Sequence, residues 1–194
     1  MPQPNELIKL TGLGDKLAFH KLFDLFKDRV YNISLSYLQD KHEAEEITQD
    51  VFVEIYQSAV RFEGNSSAST WIYRIAVNKS LDKLRYRKRK KRFAYITSIF
   101  HPDSGELKHE SPQFEHPGVL LENKENSKIL FVAIQKLPEQ QKTAFLLSYI
   151  EDIPRKEVAD IMATSLKSVE SLLQRAKTNL RNDLRDFYEQ TKDL

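Results

Sequence analysis

The segment from Lys83 to Arg92 is the most strongly charged stretch of the sequence, because eight of its ten residues are Lys or Arg. Side chains of one charge at this density repel one another, and binding to a polyanion relieves the repulsion while releasing counterions. The segment therefore favours binding to nucleic acid. A solvated helix end is the alternative. An anionic membrane surface fits less well, since no large apolar face accompanies the charges.

Aromatic and hydrogen-bonding side chains lie just before this tract, beside a loop over residues 62–69 that is rich in Gly, Asn and Ser. Unstacked bases stack on aromatic rings or on Arg, while Asn and Ser bond to base edges. This mixture predicts a surface for single-stranded nucleic acid, although Trp71 taken alone fits a core position equally well. The residues concerned are Phe62, Trp71, Tyr73, Arg74, Asn78 and Lys79, together with Tyr86 inside the tract.

Two short helical patterns near the end of the chain are separated by Ala163-Thr164-Ser165. Ser165 is a natural N-cap for the second, and the arrangement is typical of a helix-turn-helix, although a generic helical hairpin gives the same spacing. In a helix-turn-helix the outward positions face the major groove, where Arg and Gln bond to guanine and adenine edges. These positions are Lys167, Ser168, Glu170, Ser171, Gln174 and Arg175.

Catalytic chemistry finds little support in the sequence. The five histidines show no HExxH spacing, and neither a GxSxG elbow nor a glycine-rich phosphate loop occurs. The absence of cysteine removes disulfides, thiolate nucleophiles and cysteine-based metal sites. We therefore expect a protein that is not an enzyme and that carries no cofactor and no metal site.

Amphipathic helices must position all of these residues, and the spacing of apolar residues predicts an all-α protein. Apolar positions recur every three or four residues over 15–38 and every four over 44–59. Asp40 with Glu43 resembles an N-cap pair, and Ser69 is placed to cap a third helix.

Helical periodicity fails over residues 93–127, where prolines and glycines occur at short intervals. The net charge is +5 over residues 1–92, −4 over 93–127 and +1 over 128–194. This pattern predicts two small helical domains, residues 1–92 and 128–194, joined by an acidic flexible linker that leaves their relative orientation undefined. No apolar run is long enough to span a bilayer, and the first residues do not resemble a secretory signal. We therefore expect a cytoplasmic protein without membrane insertion.

The motifs, in this order, resemble the sigma-70 family of RNA polymerase sigma factors, of the extracytoplasmic-function (ECF) type. The segments EAEEITQDVF over 43–52 and STWIYRIAVNKSLDKLRYRKRKKR over 69–92 are similar to region 2 of that family. The segments LPEQQKTAFLLSYIED over 137–152 and KEVADIMATSLKSVESLLQRAKTNLR over 156–181 are similar to region 4. With the opening helix, the resemblance covers roughly 150 of the 194 residues.

The resemblance implies a transcription initiation factor without catalytic residues, which binds core RNA polymerase and directs it to specific promoter DNA in response to an envelope or environmental signal. The polymerase contacts would be the beta-prime clamp and the beta flap, and Glu46, Gln49 and Asp50 occupy the positions that bind the clamp. The resemblance also implies an anti-sigma factor as a partner. The free protein is expected to be a monomer.

Three groups of residues match DNA-binding positions of the family. The minus-ten element, as melted single strand, would be bound by Arg61, Phe62, Asn65, Ser66, Thr70, Trp71, Arg74, Asn78 and Lys79. The DNA backbone would be bound by the basic tract of Arg85, Arg87, Lys88, Arg89, Lys90, Lys91 and Arg92. The minus-thirty-five element, as duplex, would be bound by Lys167, Ser168, Glu170, Ser171, Gln174, Arg175 and Lys177.

Three positions depart from the family pattern. Ala163 lies where Gly is common in the turn, and it is tolerated there if its φ angle is negative. Glu170 replaces a frequent basic residue, which favours an altered promoter preference. Pro154 replaces a frequent capping Ser.

Two other function classes remain as alternatives. A stand-alone helix-turn-helix regulator would use the basic tract as a second DNA contact and would bind duplex DNA specifically without polymerase. An adaptor or anti-sigma-like interaction protein would use the amphipathic helices for protein contacts alone, which leaves the basic, aromatic-rich helix unexplained.

Overall fold

The protein is all-α, as the sequence predicts. The computed structural model describes residues 2–100 and 124–192, with side chains over 2–92 and 127–185. Within these ranges no helix is both long and apolar enough to cross a membrane. The helices are α1 (Pro4–Gly12), α2 (Lys16–Leu38), α3 (Lys41–Ser58), α4 (Ala68–Phe100), α5 (Lys124–Lys136), α6 (Glu139–Phe145), α7 (Arg155–Ile161) and α8 (Leu166–Lys192).

Side-chain caps explain where the main helices begin. Asp15 accepts hydrogen bonds from two amides of the first turn of α2, and Asp40 accepts one from the amide of Glu43 at 2.9 Å. Ser165 accepts from the amide of Ser168 at the start of α8. The caps at Asp40 and Ser165 were predicted from the sequence, and the cap at Asp15 was not. The cap of α4 differs from the prediction: the hydroxyl of Ser67, instead of that of Ser69, accepts from the amide of Thr70, and the helix begins two residues earlier than predicted.

Residue spacing does not predict α1, the helix that holds the loop before α4 in place. Pro4 stands at the first helical position, where its missing N–H costs nothing. Asn5 then bridges to the loop, donating to the carbonyl of Ser66 at 3.2 Å and accepting from the amide of Ala68 at 2.6 Å. At the other end of α1, a Cβ on Gly12 would lie 2.9 Å from the backbone of Ala59, so only glycine fits this approach.

The described helices extend into both ends of the segment predicted to be the linker. α4 continues through Phe100, and α5 begins at Lys124. Residues 101–123, which make up the rest of that segment, lie outside the described residues. The proposed boundaries of the two domains therefore remain a prediction.

The two helical units, α1 to α4 and α5 to α8, lie in contact and share one apolar cluster, although the sequence left their orientation undefined. Tyr37 of α2 and Phe131 of α5 are among the largest fully buried side chains. Hydrogen bonds cross between the units: Gln135 donates to the carbonyl of Tyr37 at 2.9 Å, and Gln39 donates to that of Phe131 at 3.4 Å. The contact thus combines apolar packing with backbone hydrogen bonds.

Lys142 of α6 lies beside this contact and is almost fully buried. Its ammonium donates to the backbone and side-chain oxygens of Gln135, at 2.9 and 2.8 Å. Burial is the main cause that lowers the pKa of Lys142 to about 8, and the nearby positive charge of Lys88 is a smaller one. The folded chain therefore holds this proton less tightly than the unfolded chain does.

The turn between α7 and α8 contradicts one expectation. Ala163 adopts a φ of +51°, in the left-handed region that its Cβ disfavours by roughly 1–2 kcal/mol. The expectation that Ala163 keeps a negative φ is therefore wrong. The turn keeps the geometry of a helix-turn-helix because the amide of Thr164 still donates to the carbonyl of Ala159 at 2.9 Å, which closes α7.

Replacing Ala163 with glycine is expected to raise the free energy of unfolding by about 1 kcal/mol, since glycine adopts positive φ without strain. Urea titration of both proteins measures the difference. The matched control is Ala159→Gly inside α7, which is expected to lower stability by about 1 kcal/mol or more. A loss of stability in Ala163→Gly equal to that of the control would contradict the strained turn.

The buried ammonium of Lys142 gives a pH-dependent prediction. Burying the charged ammonium lowers the free energy of unfolding, and this loss is complete at pH values below the folded pKa of about 8. The loss shrinks as the pH rises from about 8 toward the unfolded pKa of 10.5, because the buried group then releases its proton. Relative to Lys142→Met, the wild type should therefore gain about 1 kcal/mol of unfolding free energy between pH 7 and pH 9. Urea titrations at both pH values test this. Lys136→Met, at a largely exposed position, serves as the control, and a difference independent of pH at Lys142 would contradict the assignment.

Candidate functional site

The loop between α3 and α4 forms a polar surface together with the start of α4, called here the loop surface (residues 61–79). Arg61, Asn65 and Asn78 are exposed, and Ser66 is partly exposed. Asn65 donates to Glu63 at 2.8 Å, and Lys79 lies 3.8 Å from Glu54. The loop surface therefore presents amide, hydroxyl and cationic groups of the kinds that bind base edges and phosphates.

The aromatic residues of the loop surface are less accessible than the sequence suggested. Phe62 is only 9% exposed and Thr70 is 3% exposed, so the structure places both in the core instead of on a binding surface. Trp71 is partly buried, and its ring centroid lies 5.2 Å from that of Phe62. The buried ring of Phe62 thus packs against the ring of Trp71. Trp71 is the aromatic residue of the loop surface that remains partly exposed. Tyr73 is buried as well.

A cleft of about 660 Å³ separates the loop surface from the second helical unit. Ser69 and Arg74 line one side of the cleft, and Glu157 and Asp160 of α7 line the other. Ser69 donates to the carboxylate of Glu157 at 2.5 Å, and Arg74 donates to the carbonyl of Ile161 at 3.2 Å. The structure therefore brings part of the candidate single-strand surface against the helix-turn-helix.

The basic tract on α4 begins with residues that pair with acidic groups. Lys83 donates to Glu46 at 2.7 Å, a hydrogen bond that raises the pKa of Lys83. Arg87 pairs with Glu43 at 3.0 Å. Arg85 reaches Asp82 on its own helix and Glu139 of α6. Exposed cations of the same tract continue beyond these pairs: Lys88, Arg89, Lys90, Lys91 and Arg92.

The acidic surface of α3 consists of Glu46, Gln49 and Asp50, and all three side chains are exposed. They lie within about one helical turn, since residues three and four apart share a face. Glu46 is engaged by Lys83, which leaves Gln49 and Asp50 as the centre of this surface. Such a surface can bind a basic protein partner through charge complementarity.

The outer face of α8 is accessible along the predicted recognition helix. Lys167, Glu170, Gln174 and Arg175 are exposed, and Ser168 and Ser171 are partly exposed. Lys177 turns to a different contact, because its ammonium lies 4.5 Å from the ring centroid of Tyr149. A hydrogen bond to Lys177 also lowers the pKa of the Tyr149 hydroxyl.

Glu151 is a central polar residue that sequence reasoning missed. It follows the short π-helical turn after α6, it is 4% exposed, and it accepts from the hydroxyl of Ser36 at 2.5 Å. Arg29 of α2 donates to its backbone carbonyl. No local pattern marks these residues, because the partners are more than 100 positions apart in sequence.

Both halves of the chain match family models. One, described as Sigma-70 region 2, matches residues 22–90, and the other, Sigma-70 region 4, matches residues 127–180. The chain is 32% identical over 184 residues to the ECF RNA polymerase sigma factor SigW of Bacillus subtilis, covering 93% of this chain and 96% of SigW. It is 26% identical to the ECF RNA polymerase sigma-E factor of Escherichia coli K12, covering 91% of each chain.

Solved structures share the fold. The structure of CnrH in complex with the cytosolic domain of CnrY matches 94% of this chain and 97% of its own, with a TM-score of 0.65 at 18% identity. The sigma factor RpoE of Bartonella quintana, crystallised with the anti-sigma factor NepR, matches 86% of this chain and 96% of its own, with a TM-score of 0.62 at 18% identity.

Proposed function

Since the chain belongs to the ECF RNA polymerase sigma factors of the sigma-70 family, we propose which of its surfaces bind the polymerase and which bind the promoter. The protein is a transcription initiation factor that directs RNA polymerase to promoters. We propose that residues 1–92 form the region 2 domain, that 93–127 form the linker, and that 128–194 form the region 4 domain. In this proposal the polymerase catalyses RNA synthesis, and this chain only binds the polymerase and the promoter.

Polymerase binding is assigned to the acidic surface of α3. The observation that carries this assignment is that Gln49 and Asp50 stay exposed while the neighbouring carboxylates of Glu43 and Glu46 are engaged by α4. The two pairs fix α3 against the basic helix and leave one acidic patch free for a partner. A basic segment of the polymerase clamp complements that patch, and the beta flap is the second proposed contact.

Recognition of the melted minus-ten strand is assigned to the loop surface. Trp71 offers a ring for base stacking, while Asn65, Asn78 and Arg74 offer donors to base edges and phosphates. Phe62 and Thr70 act through their buried positions, because they hold Trp71 and the start of α4 in place. Extruding a base costs a few kcal/mol, which these contacts must return.

Recognition of the minus-thirty-five duplex is assigned to the exposed face of α8. Gln174 and Arg175 can form bidentate hydrogen bonds to adenine and guanine edges. Glu170 repels phosphate and can accept from a cytosine amino group, which favours a promoter preference of its own. Lys177 lies against Tyr149, and its ammonium can contact a phosphate of the DNA backbone after a side-chain rotation.

The proposals for location and regulation rest on the chain's membership of the ECF sigma factor family. We propose that the protein acts in the cytoplasm as a free monomer and that it responds to an envelope or environmental signal. An anti-sigma factor is the proposed regulator, since the similar RpoE of Bartonella quintana was crystallised with one. The stand-alone regulator is not favoured, because the match to sigma factors covers nearly the whole chain.

Reversing the charge of Asp50 tests the proposed docking surface. Asp50→Lys is expected to weaken binding to core polymerase at least tenfold while leaving thermal stability unchanged, because the side chain is exposed. Titration of labelled protein with purified core polymerase measures the affinity.

Asp24→Lys provides the control, since Asp24 is an exposed carboxylate on α2, outside the acidic surface of α3. It is expected to retain wild-type affinity. Equal losses in both variants would indicate a general charge effect, and unchanged binding by Asp50→Lys would remove the acidic surface from the polymerase contact.

A further inference from the structure

The loop before α4 has few hydrogen bonds of its own to fix its shape. In the part of the chain that the structure describes, residues 63–66 make no hydrogen bond between backbone groups. The side chain of Asn65 donates to the nearby carboxylate of Glu63, within the same loop. A loop without backbone hydrogen bonds keeps many conformations of similar energy, so a single shape requires contacts with another element.

Asn5 of α1 provides such contacts with both ends of its side-chain amide. Its Nδ2 donates to the carbonyl of Ser66 at 3.2 Å, and its Oδ1 accepts from the amide of Ala68 at 2.6 Å. Ala68 is the first residue of α4, so its amide has no acceptor within that helix. One side chain therefore holds the end of the loop and the start of α4.

α1 is anchored well enough to support the loop. Leu7 and Ile8 are buried in the apolar cluster, at 2% and 0% exposure. Positions 5, 9 and 12 are three and four residues apart, so they share one face of the helix. On this face the side chain of Lys9 passes Gly64, where an added Cβ would lie 3.8 Å from its Cε, and Gly12 packs on the backbone just before the loop.

The residues held in this way belong to the surface assigned to the minus-ten strand. Asn65 is exposed and Ser66 is partly exposed. A hydrogen bond weakens steeply when its geometry is poor, so a loop distinguishes bases only if its polar groups are fixed. The phosphate contacts of the basic tract carry no sequence information. The shape of the loop therefore affects base preference more than total affinity for DNA.

We propose that Asn5 is a positioning residue for minus-ten recognition, which sets the base preference of the loop through its hydrogen bond to the carbonyl of Ser66. The inference rests on the proposed function of the loop surface. Asn5 acts on the bases through Ser66 and its neighbour Asn65. The inference adds α1 to the elements that determine which promoters the chain selects.

Three variants separate this role from a purely structural one. Asn5→Ala removes both hydrogen bonds. Asn5→Asp keeps an acceptor for the amide of Ala68, at a helix N-terminus that favours a carboxylate, but it has no donor for Ser66. Gln3→Ala is the matched control, because it truncates an exposed amide side chain that makes no cap hydrogen bond to α1.

The structural effect of each variant is measured on the full chain by urea titration and by hydrogen exchange of the Ala68 amide. In Asn5→Ala this amide is expected to exchange about tenfold faster than in the wild type, with a lower urea midpoint. Asn5→Asp and Gln3→Ala are expected to keep the wild-type exchange rate and midpoint.

Base preference is measured on the complex with core polymerase. The complex is mixed with a random-sequence pool of single-stranded DNA, about 12 nucleotides long, and the bound strands are sequenced and compared with those bound by core alone. Wild type and Gln3→Ala should enrich particular bases to the same extent. In both Asn5→Ala and Asn5→Asp this enrichment should fall about fivefold. Total affinity for the pool should stay within about threefold, because the phosphate contacts are retained.

Asn65→Ala, a change in the loop surface itself, separates the possible failures. If Asn65→Ala lowers the enrichment and Asn5→Ala does not, the inference about Asn5 is overturned while the loop surface keeps its assignment. Full enrichment in Asn5→Asp also overturns the inference, because the bond to Ser66 would then be dispensable. If the wild type enriches no base, or if neither Asn65→Ala nor Asn5→Ala lowers the enrichment, the assignment of the loop surface fails, and the role of Asn5 fails with it.

Discussion

The two helical units of this chain share one apolar core, because residues of both units pack into a single buried cluster. A small domain buries a smaller fraction of its surface than a large one does, so docking of the units recovers apolar burial that neither has separately. Tyr37 and Phe131 lie at this junction and are fully buried. Most other features of the structure, including the position of α7, depend on this contact.

Hydrogen bonds supplement the apolar packing at the junction. Several of its hydrogen bonds link side chains to backbone carbonyls, as at Arg29, Gln39, Gln135 and Arg74. Water can replace such bonds when the units separate, so each contributes only about 1 kcal/mol net.

The sequence predicted what depends on local patterns. The periodicity of α2 and α3, the caps at Asp40 and Ser165, and the exposed face of α8 all follow from residue spacing and short-range hydrogen bonds. The first helix was missed because it is short and its cap uses no side chain, leaving Pro4 as its main signal.

What the sequence could not predict depends on long-range contacts. The pairing of Glu151 with Ser36 and the burial of Phe62 beneath Trp71 are set only when distant helices pack. The positive φ of Ala163 is a related case, because the turn geometry is imposed by α7 and α8 against the local preference of alanine. The assignments of single residues to polymerase and promoter therefore rest on the family and on exposure together.

The central claim is that this chain directs RNA polymerase to promoters through α8 and the loop surface. Run-off transcription with purified core polymerase on fragments of the source genome, with and without the chain, tests it most directly. The account predicts discrete transcripts only when the chain is present, with two shared sequence elements upstream of their start sites and loss of these transcripts in Gln174→Ala/Arg175→Ala. An absence of transcripts, together with specific duplex binding by the chain alone, would contradict it.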